Sequence, residues 1–159
     1  MYRALPGVRP ASRADVPALL GLMRELAAFE RYLDRFAVTE SELRRRGFPA
    51  GGAAEFHAFV HEDVSGRLNG YAVCYLVPFT YDLRPTLVLK ELYVRASRRS
   101  AGLGAALLDR VLAEARRLRC GLIRWALLPD NRRAQGFYRR WEGRQDKQWE
   151  HWVRKAGTD

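Results

Sequence analysis

Cysteine is almost missing from this sequence. Its 159 residues hold two, Cys74 and Cys120, both in apolar stretches and without Cys-x-x-Cys spacing. That excludes a disulfide framework and a cysteine zinc site, and both read as small core hydrophobes. Histidine is equally scarce: His57 and His61 stand four apart in what reads as a strand, and His151 stands alone. No metal site is indicated. No apolar run approaches the roughly 18 residues that a membrane-crossing helix needs, and the first residues, MYRALPGVRP, lack the apolar core of a signal peptide. The expectation is a cytoplasmic protein with no membrane partner. Lysine is the other shortage, with only Lys90, Lys147 and Lys155.

What is abundant is arginine. Lys+Arg total 28 against 18 Asp+Glu, a formal net charge of +10, and 25 of the 28 are arginines spread over the whole length. A polyanion would be attracted by such a chain. The spread, however, resembles codon bias more than a nucleic-acid stripe, and the clusters Arg44 to Arg46, Arg116-Arg117 with Arg119, and Arg132-Arg133 with Arg139-Arg140 fall in predicted helices as solvated faces. Nucleic acid is therefore not the expected partner, although a basic binding module without catalysis stays as an alternative. The length, with 48% hydrophobic and 29% charged residues, suits one globular domain over 1–159.

Along the chain, residues 15 to 30 read as a helix with Asp15 as cap and Pro17 in the first turn. Thr39 to Glu42 forms a capping-box pattern that opens a short second helix, with Gly47 able to end it. Alternation over Glu55 to Val60 reads as a strand, Asp63 to Gly66 as a turn, and Arg67 toward Pro78 as the return strand. Thr86 to Val94 is a further strand, Gly102 to Leu118 a helix, Leu122 to Leu128 a buried strand, Asn131 to Arg140 a capped helix, and Gln148 to Arg154 a last strand. The expected class is α/β (α+β): a mixed, mostly antiparallel central sheet of six to seven strands with about four helices packed on both faces.

Two stretches carry chemistry. In Arg99-Ser100-Ala101-Gly102-Leu103-Gly104 a strand runs through an R-x-x-G-x-G loop into a helix. Glycines allow close backbone approach, successive amides point outward, and the helix N-terminus carries partial positive charge, so a pyrophosphate would fit. The motif alone also suits a plain glycine-bearing helix entry. It is neither a dinucleotide fingerprint nor a Walker loop. The second stretch is Asn131-Arg132-Arg133-Ala134-Gln135-Gly136-Phe137-Tyr138.

Together these stretches resemble the GNAT N-acetyltransferase superfamily, in which R-x-x-G-x-G/A follows the fourth strand and N-x-x-A-x-x-F-Y the fifth. Arg9-Pro10-Ala11 with Asp15 resembles that family's entry. Shorter matches, Arg24 to Glu30, Val38-Thr39-Glu40, Gly47-Phe48, Phe79 to Asp82 and Arg119-Cys120, resemble the diamine (spermidine/spermine) and thialysine acetyltransferase branch.

The resemblance implies acetyl-CoA as co-substrate. It implies that the amides and carbonyls of Leu92, Tyr93 and Val94, at a bulge of the fourth strand, hold pantetheine and the thioester. Arg99, Ser100, Ala101, Gly102, Leu103, Gly104 and Ala105 would cradle the pyrophosphate. Asn131 would bond the pantetheine arm or cap its helix, and Ala134 and Phe137 would flank the cofactor. Amine attack on a thioester expels a thiolate, so Tyr138, a phenol of ordinary pKa about 10, suits the general acid, with packing as its simpler alternative. The attacking amine must first lose a proton. Glu91 could take it directly or through water, while Glu30 could bind a substrate ammonium beside Phe29 as an apolar wall.

The chain also departs from its branch. Two neighbouring acids usually precede the bulge there, but this sequence reads Lys90-Glu91, which disfavours true polyamines and suits a smaller amine, a lysine analogue or a carboxylate-bearing acceptor contacting Lys90. Trp141-Glu142-Gly143 replaces the common Leu-Gly, so the last turn is expected to be built differently. Trp149 to Val153 carries bulky residues on both faces of a strand, which predicts a homodimer as in that branch. The expected reaction is direct acetyl transfer in a ternary complex to a small-molecule primary amine. A protein lysine or N-terminus is an alternative acceptor that shares every cofactor residue.

Overall fold

Apolar residues at helical spacing make one side of α1 (Val16–Phe29) a continuous stripe, with Val16, Leu19, Leu22, Met23, Leu26 and Ala27 all buried. The computed structural model, which describes residues 7–157, seats this stripe with Leu43 of α2 (Glu40–Gly47) on one face of a sheet, against Ala58, Val60, Tyr71 and Val73. The sheet strands up to that point are β1 (Val8–Pro10), β2 (His57–Glu62) and β3 (Leu68–Val77). They are followed by β4 (Thr86–Val94), α3 (Leu103–Arg117) and β5 (Leu122–Arg124). Helix α3 packs on the sheet as well; its Leu107 lies close to Gly70, and Arg110 stacks over the Phe59 ring at 4.6 Å. β3 is buried at every position from Leu68 to Cys74, as a strand covered on both faces must be.

The sheet order is β1-β2-β3-β4-β5, antiparallel except for the parallel β4–β5 pair that brackets α3. This corrects the expected six to seven strands to five among the described residues. The stretch Gln148 to Arg154 takes no strand conformation. Alternation marks a segment that could pair, but a strand exists only where another backbone completes its ladder. The expected strand from Leu122 to Leu128 also stops early, at Arg124, because β5 finds partners only at Thr86, Leu87 and Val88.

A side-chain cap accounts for the start of α2. The Thr39 hydroxyl accepts from the Glu42 amide, forming that half of the expected capping box, while the Glu42 carboxylate binds Arg45 and Arg46. Asp15 precedes α1 but does not cap it with its side chain. Its carboxylate instead accepts from the Ser12 amide at 2.7 Å and from Arg9, whose guanidinium pulls the Asp15 carboxyl down to about 2. Cys74 is a core residue as expected, whereas Cys120 is only half-buried.

The chain divides into two compact units, one through Ala126 and one from Leu127 onward. The second contains α4 (Arg132–Arg139) and the segment after it.

Candidate functional site

Backbone conformation builds the loop before α3. Ser100 and Gly102 both take left-handed angles, φ 69° and 81°, on either side of Ala101. The first intrahelical bond of α3 runs from the Ala106 amide to the Gly102 carbonyl, so the helix leaves the amides of Leu103, Gly104 and Ala105 unused. A left-handed pair followed by free helix amides is a concave array of donors, suited to an anion. Ser100, Ala101 and Gly102 are exposed, and Leu103 buries its side chain in the core, leaving only its backbone for a ligand. Arg99 opens the loop. Its Nε donates to the Val94 carbonyl at 3.0 Å and its guanidinium lies over the rings of Phe29 (5.1 Å) and Tyr93 (5.5 Å), tying the loop to the end of α1.

β4 supplies an open edge. Its ladder with β5 ends at Val88, and its register with β3 passes from Glu91 opposite Val73 to Leu89 opposite Cys74. Lys90 is thus the extra residue of a bulge, one position before Glu91. The expected bulge at Leu92 to Val94 is instead regular pairing with Ala72, Tyr71 and Gly70. Because the Arg95 amide donates to the Asn69 carbonyl, the antiparallel alternation turns the amides and carbonyls of Leu92 and Val94 away from β3 and those of Tyr93 toward it. Leu92 therefore presents both main-chain groups on the open side, and Val94 its amide, since the Val94 carbonyl already accepts from Arg99 Nε. Tyr93 serves from its side chain: its hydroxyl donates to Glu25, which also binds Arg95.

At the end of α1 the structure groups acids and phenols. The Tyr71 hydroxyl donates to Glu91 Oε2 at 2.9 Å and Lys90 Nζ donates to Oε1 at 2.5 Å; the Glu91 side chain is 11% exposed and that of Lys90 56%. Burial and the neighbouring Glu91 raise the Glu30 carboxyl above its ordinary range, while Lys90 pulls it the other way. Tyr32 and Tyr71 are raised by burial and by the same two carboxylates, Tyr71 strongly. Glu30, Glu91 and Lys90 are therefore electrostatically coupled. Phe29 beside them is about half-exposed, with the Arg99 guanidinium over its ring. Sequence reading missed Tyr71 and Tyr32. Tyr71 reaches Glu91 as a diagonal cross-strand neighbour, a relation visible only once the register is known.

In the second unit, Asn131 caps α4, its Oδ1 accepting from the Ala134 amide at 3.0 Å. The Phe137 and Tyr138 rings meet edge to face at 5.1 Å. After α4 the Tyr138 carbonyl accepts from both Trp141 and Gly143 amides, and Glu142 takes φ 60°; this is the turn made by Trp141-Glu142-Gly143. Among the described residues no cluster of three or more His, Cys, Asp or Glu could hold a metal, and no helix is long and apolar enough to cross a membrane.

Comparison with known proteins adds sequence evidence to this geometry. Residues 22–143 match the model of the acetyltransferase (GNAT) family, a span that includes both stretches singled out above. The chain is 30% identical over 139 residues to thialysine N-epsilon-acetyltransferase of Bos taurus, covering 83% of this chain and 80% of that one. It is 32% identical to human spermidine/spermine N(1)-acetyltransferase-like protein 1, covering 82% of this chain but 19% of that longer protein. Among solved structures, an aminoglycoside acetyltransferase from an uncultured soil metagenomic sample, in complex with sisomicin, shares the fold. Its TM-score is 0.76 at 16% identity, covering 94% of this chain and 95% of that one. An acetyltransferase from Trypanosoma brucei does so at TM-score 0.69 and 21% identity, covering 92% and 97%. With a family match over most of its length and relatives in the thialysine and spermidine/spermine branch, the chain belongs to the GNAT acetyltransferase family and is an acyltransferase.

Proposed function

We propose that this protein transfers the acetyl group of acetyl-CoA to a primary amine of a small molecule, by direct attack within a ternary complex and as a single catalytic domain over 1–159. The observation that carries the reading is the array of free amides of Leu103, Gly104 and Ala105, opened by the left-handed Gly102, beside the open edge of β4. It fits a pyrophosphate followed by an amide-bearing arm: the free amides of Leu103, Gly104 and Ala105 would hold the anion, and the outward groups of Leu92 with the Val94 amide the arm. Acetyl-CoA, when bound, supplies an activated acyl group on a good leaving sulfur.

The chain's own residues do the rest. Glu91 accepts the proton of the incoming ammonium, directly or through water, and Tyr71 fixes its orientation from Oε2. Glu30 holds the ammonium by charge and Phe29 shields one side. In the second unit Asn131 caps α4; by the family resemblance Ala134 and Phe137 would flank acetyl-CoA and Tyr138 would return a proton to the departing sulfur. Cys74 offers no covalent route, since burial pushes its thiol up to about 12. We place this enzyme in the cytoplasm and as a homodimer.

Titration calorimetry with acetyl-CoA tests the cofactor half of the reading. Saturable uptake is expected, and it should be lost in a folded Gly104→Trp variant, whose ring would fill the approach to the array; no uptake by the natural chain would defeat the proposal. CoA release across a panel of primary amines tests the acceptor half. Tyr138→Phe should keep acetyl-CoA affinity while kcat falls by about 10²-fold or more, the usual scale of general acid catalysis; unchanged turnover would remove Tyr138 from its role.

A further inference from the structure

The sharpest local departure lies at the β4 bulge. Both oxygens of Glu91 are already engaged, Oε2 by the Tyr71 phenol and Oε1 by the ammonium of its own neighbour. A buried carboxylate with a resident ammonium is in the state that an acceptor's ammonium would otherwise create. The bulge is what allows this: the extra residue is released from the β3 ladder, so the exposed Lys90 stem can turn its tip back onto Glu91.

Charge counting then limits the acceptor. The coupled groups are Glu30, Glu91 and Lys90, a sum of −1 with both acids ionised. Tyr32 and Tyr71, which lie in the field of the same two carboxylates, are held neutral, since both phenols are raised above their ordinary value. One positive charge completes neutrality. A second would stand unpaired beside Lys90 in a setting where the nearer acid is already satisfied.

We propose that Lys90 is a specificity-determining residue of the acceptor site, a resident ammonium on Glu91 that restricts the acceptor to a single net positive charge and turns away dications. This inference rests on the acetyltransferase reading above and deepens it by naming the residue that selects acceptor charge. The Lys90 ammonium does not take part in the transfer; it lies where a second substrate ammonium would be paired.

The test uses 1-aminopentane and 1,5-diaminopentane, which differ by one terminal ammonium, and compares the natural chain with Lys90→Met and Lys90→Arg. Methionine keeps the unbranched stem and removes the charge, while arginine keeps the charge. Lys90 is more than half exposed, so both variants should fold, as circular dichroism can verify. Calorimetric binding of each amine gives a preference ratio that needs no turnover. The natural chain and Lys90→Arg should favour the monoamine, and in Lys90→Met the ratio should move toward the diamine by about tenfold or more, the scale of one charge pair in partly screened surroundings. An unchanged ratio in Lys90→Met, or no amine binding by any of the three proteins, overturns the proposal. Acetyl-CoA uptake measured on the same samples keeps the two readings apart: with uptake intact and the ratio unmoved, the role of Lys90 falls and the acetyltransferase assignment stands.

Discussion

Glu30 gives the clearest consequence at the scale of single residues. Burial and the field of Glu91 hold its proton to higher pH than an ordinary carboxyl. An acceptor ammonium favours ionised Glu30. The sign follows: acceptor affinity should be weak in the ordinary carboxylate range near pH 4 and rise as Glu30 ionises above it. Plotting 1/KM for a monoamine from about pH 4 to about pH 8 should show that rise, and Glu30→Gln should flatten it and raise KM more than it lowers kcat, as expected for a group that binds the acceptor without taking part in the chemistry. A pH profile unchanged in Glu30→Gln would remove the residue from the acceptor site. Phe29, Glu30 and Glu91 were legible as candidates because the family pattern points to them. Their electrostatic coupling was not, because it depends on the end of α1 lying over β4. Arg99 shows a different limit: its type and position suggest a phosphate contact, while the placement of its guanidinium over the rings of Phe29 and Tyr93 was not legible in the sequence.

Individual elements were read from periodicity with uneven success, and the pattern of error is physical. β4 was legible residue for residue, and α1 and α3 to within one or two positions, because apolar spacing reports burial directly. Bulges and pairing limits were not, since each is a relation between two strands; Lys90 carries no local mark of being the extra residue. Gly70 is a related case. A Cβ there would lie 2.8 Å from the Tyr93 carbonyl and 3.1 Å from Leu107, so α3 approaches β3 and β4 as closely as it does only because that side chain is absent. Gly70→Ala should therefore destabilise the first unit by about 1–3 kcal/mol, the usual range for overpacking. Denaturant unfolding checks this, and a midpoint unchanged from the natural chain would contradict the packing described. The Arg9–Asp15 pair that ties β1 to the start of α1 yields a pH prediction as well. Asp15 is depressed to about 2 in the fold from an ordinary value of 3.8, so its contribution is complete above about pH 4 and lost as pH falls toward 2. Asp15→Asn should lack that part of the acid transition in thermal melts. A melting profile below pH 4 identical to that of the natural chain would show the pair to be without effect.

For the molecule as a whole, the segment after α4 and the net charge bear on one question, which is what a second copy would do. Trp149, Trp152 and Val153 are largely exposed, in a stretch whose alternation suits a strand but which forms none in a single copy. Pairing or packing of this stretch with a second chain would bury those side chains and complete its backbone bonds. The charge opposes that association, because each copy carries a formal +10 and the two fields repel. Salt should therefore strengthen the dimer. Raising ionic strength from about 0.1 M to about 1 M shortens the screening length from about 10 Å to about 3 Å, which removes the repulsion while leaving apolar burial intact. Light scattering at micromolar concentration should report a mass that rises toward two chains as salt is added, and Trp149→Glu with Trp152→Glu should hold it at one chain throughout. Binding carried by the arginines to a polyanion would move in the opposite direction, weakening steeply with salt. A monomer at every ionic strength would leave the tail without its proposed partner, whereas a dimer that dissociates on adding salt would mean that ion pairs, rather than the tryptophans, hold the two copies together.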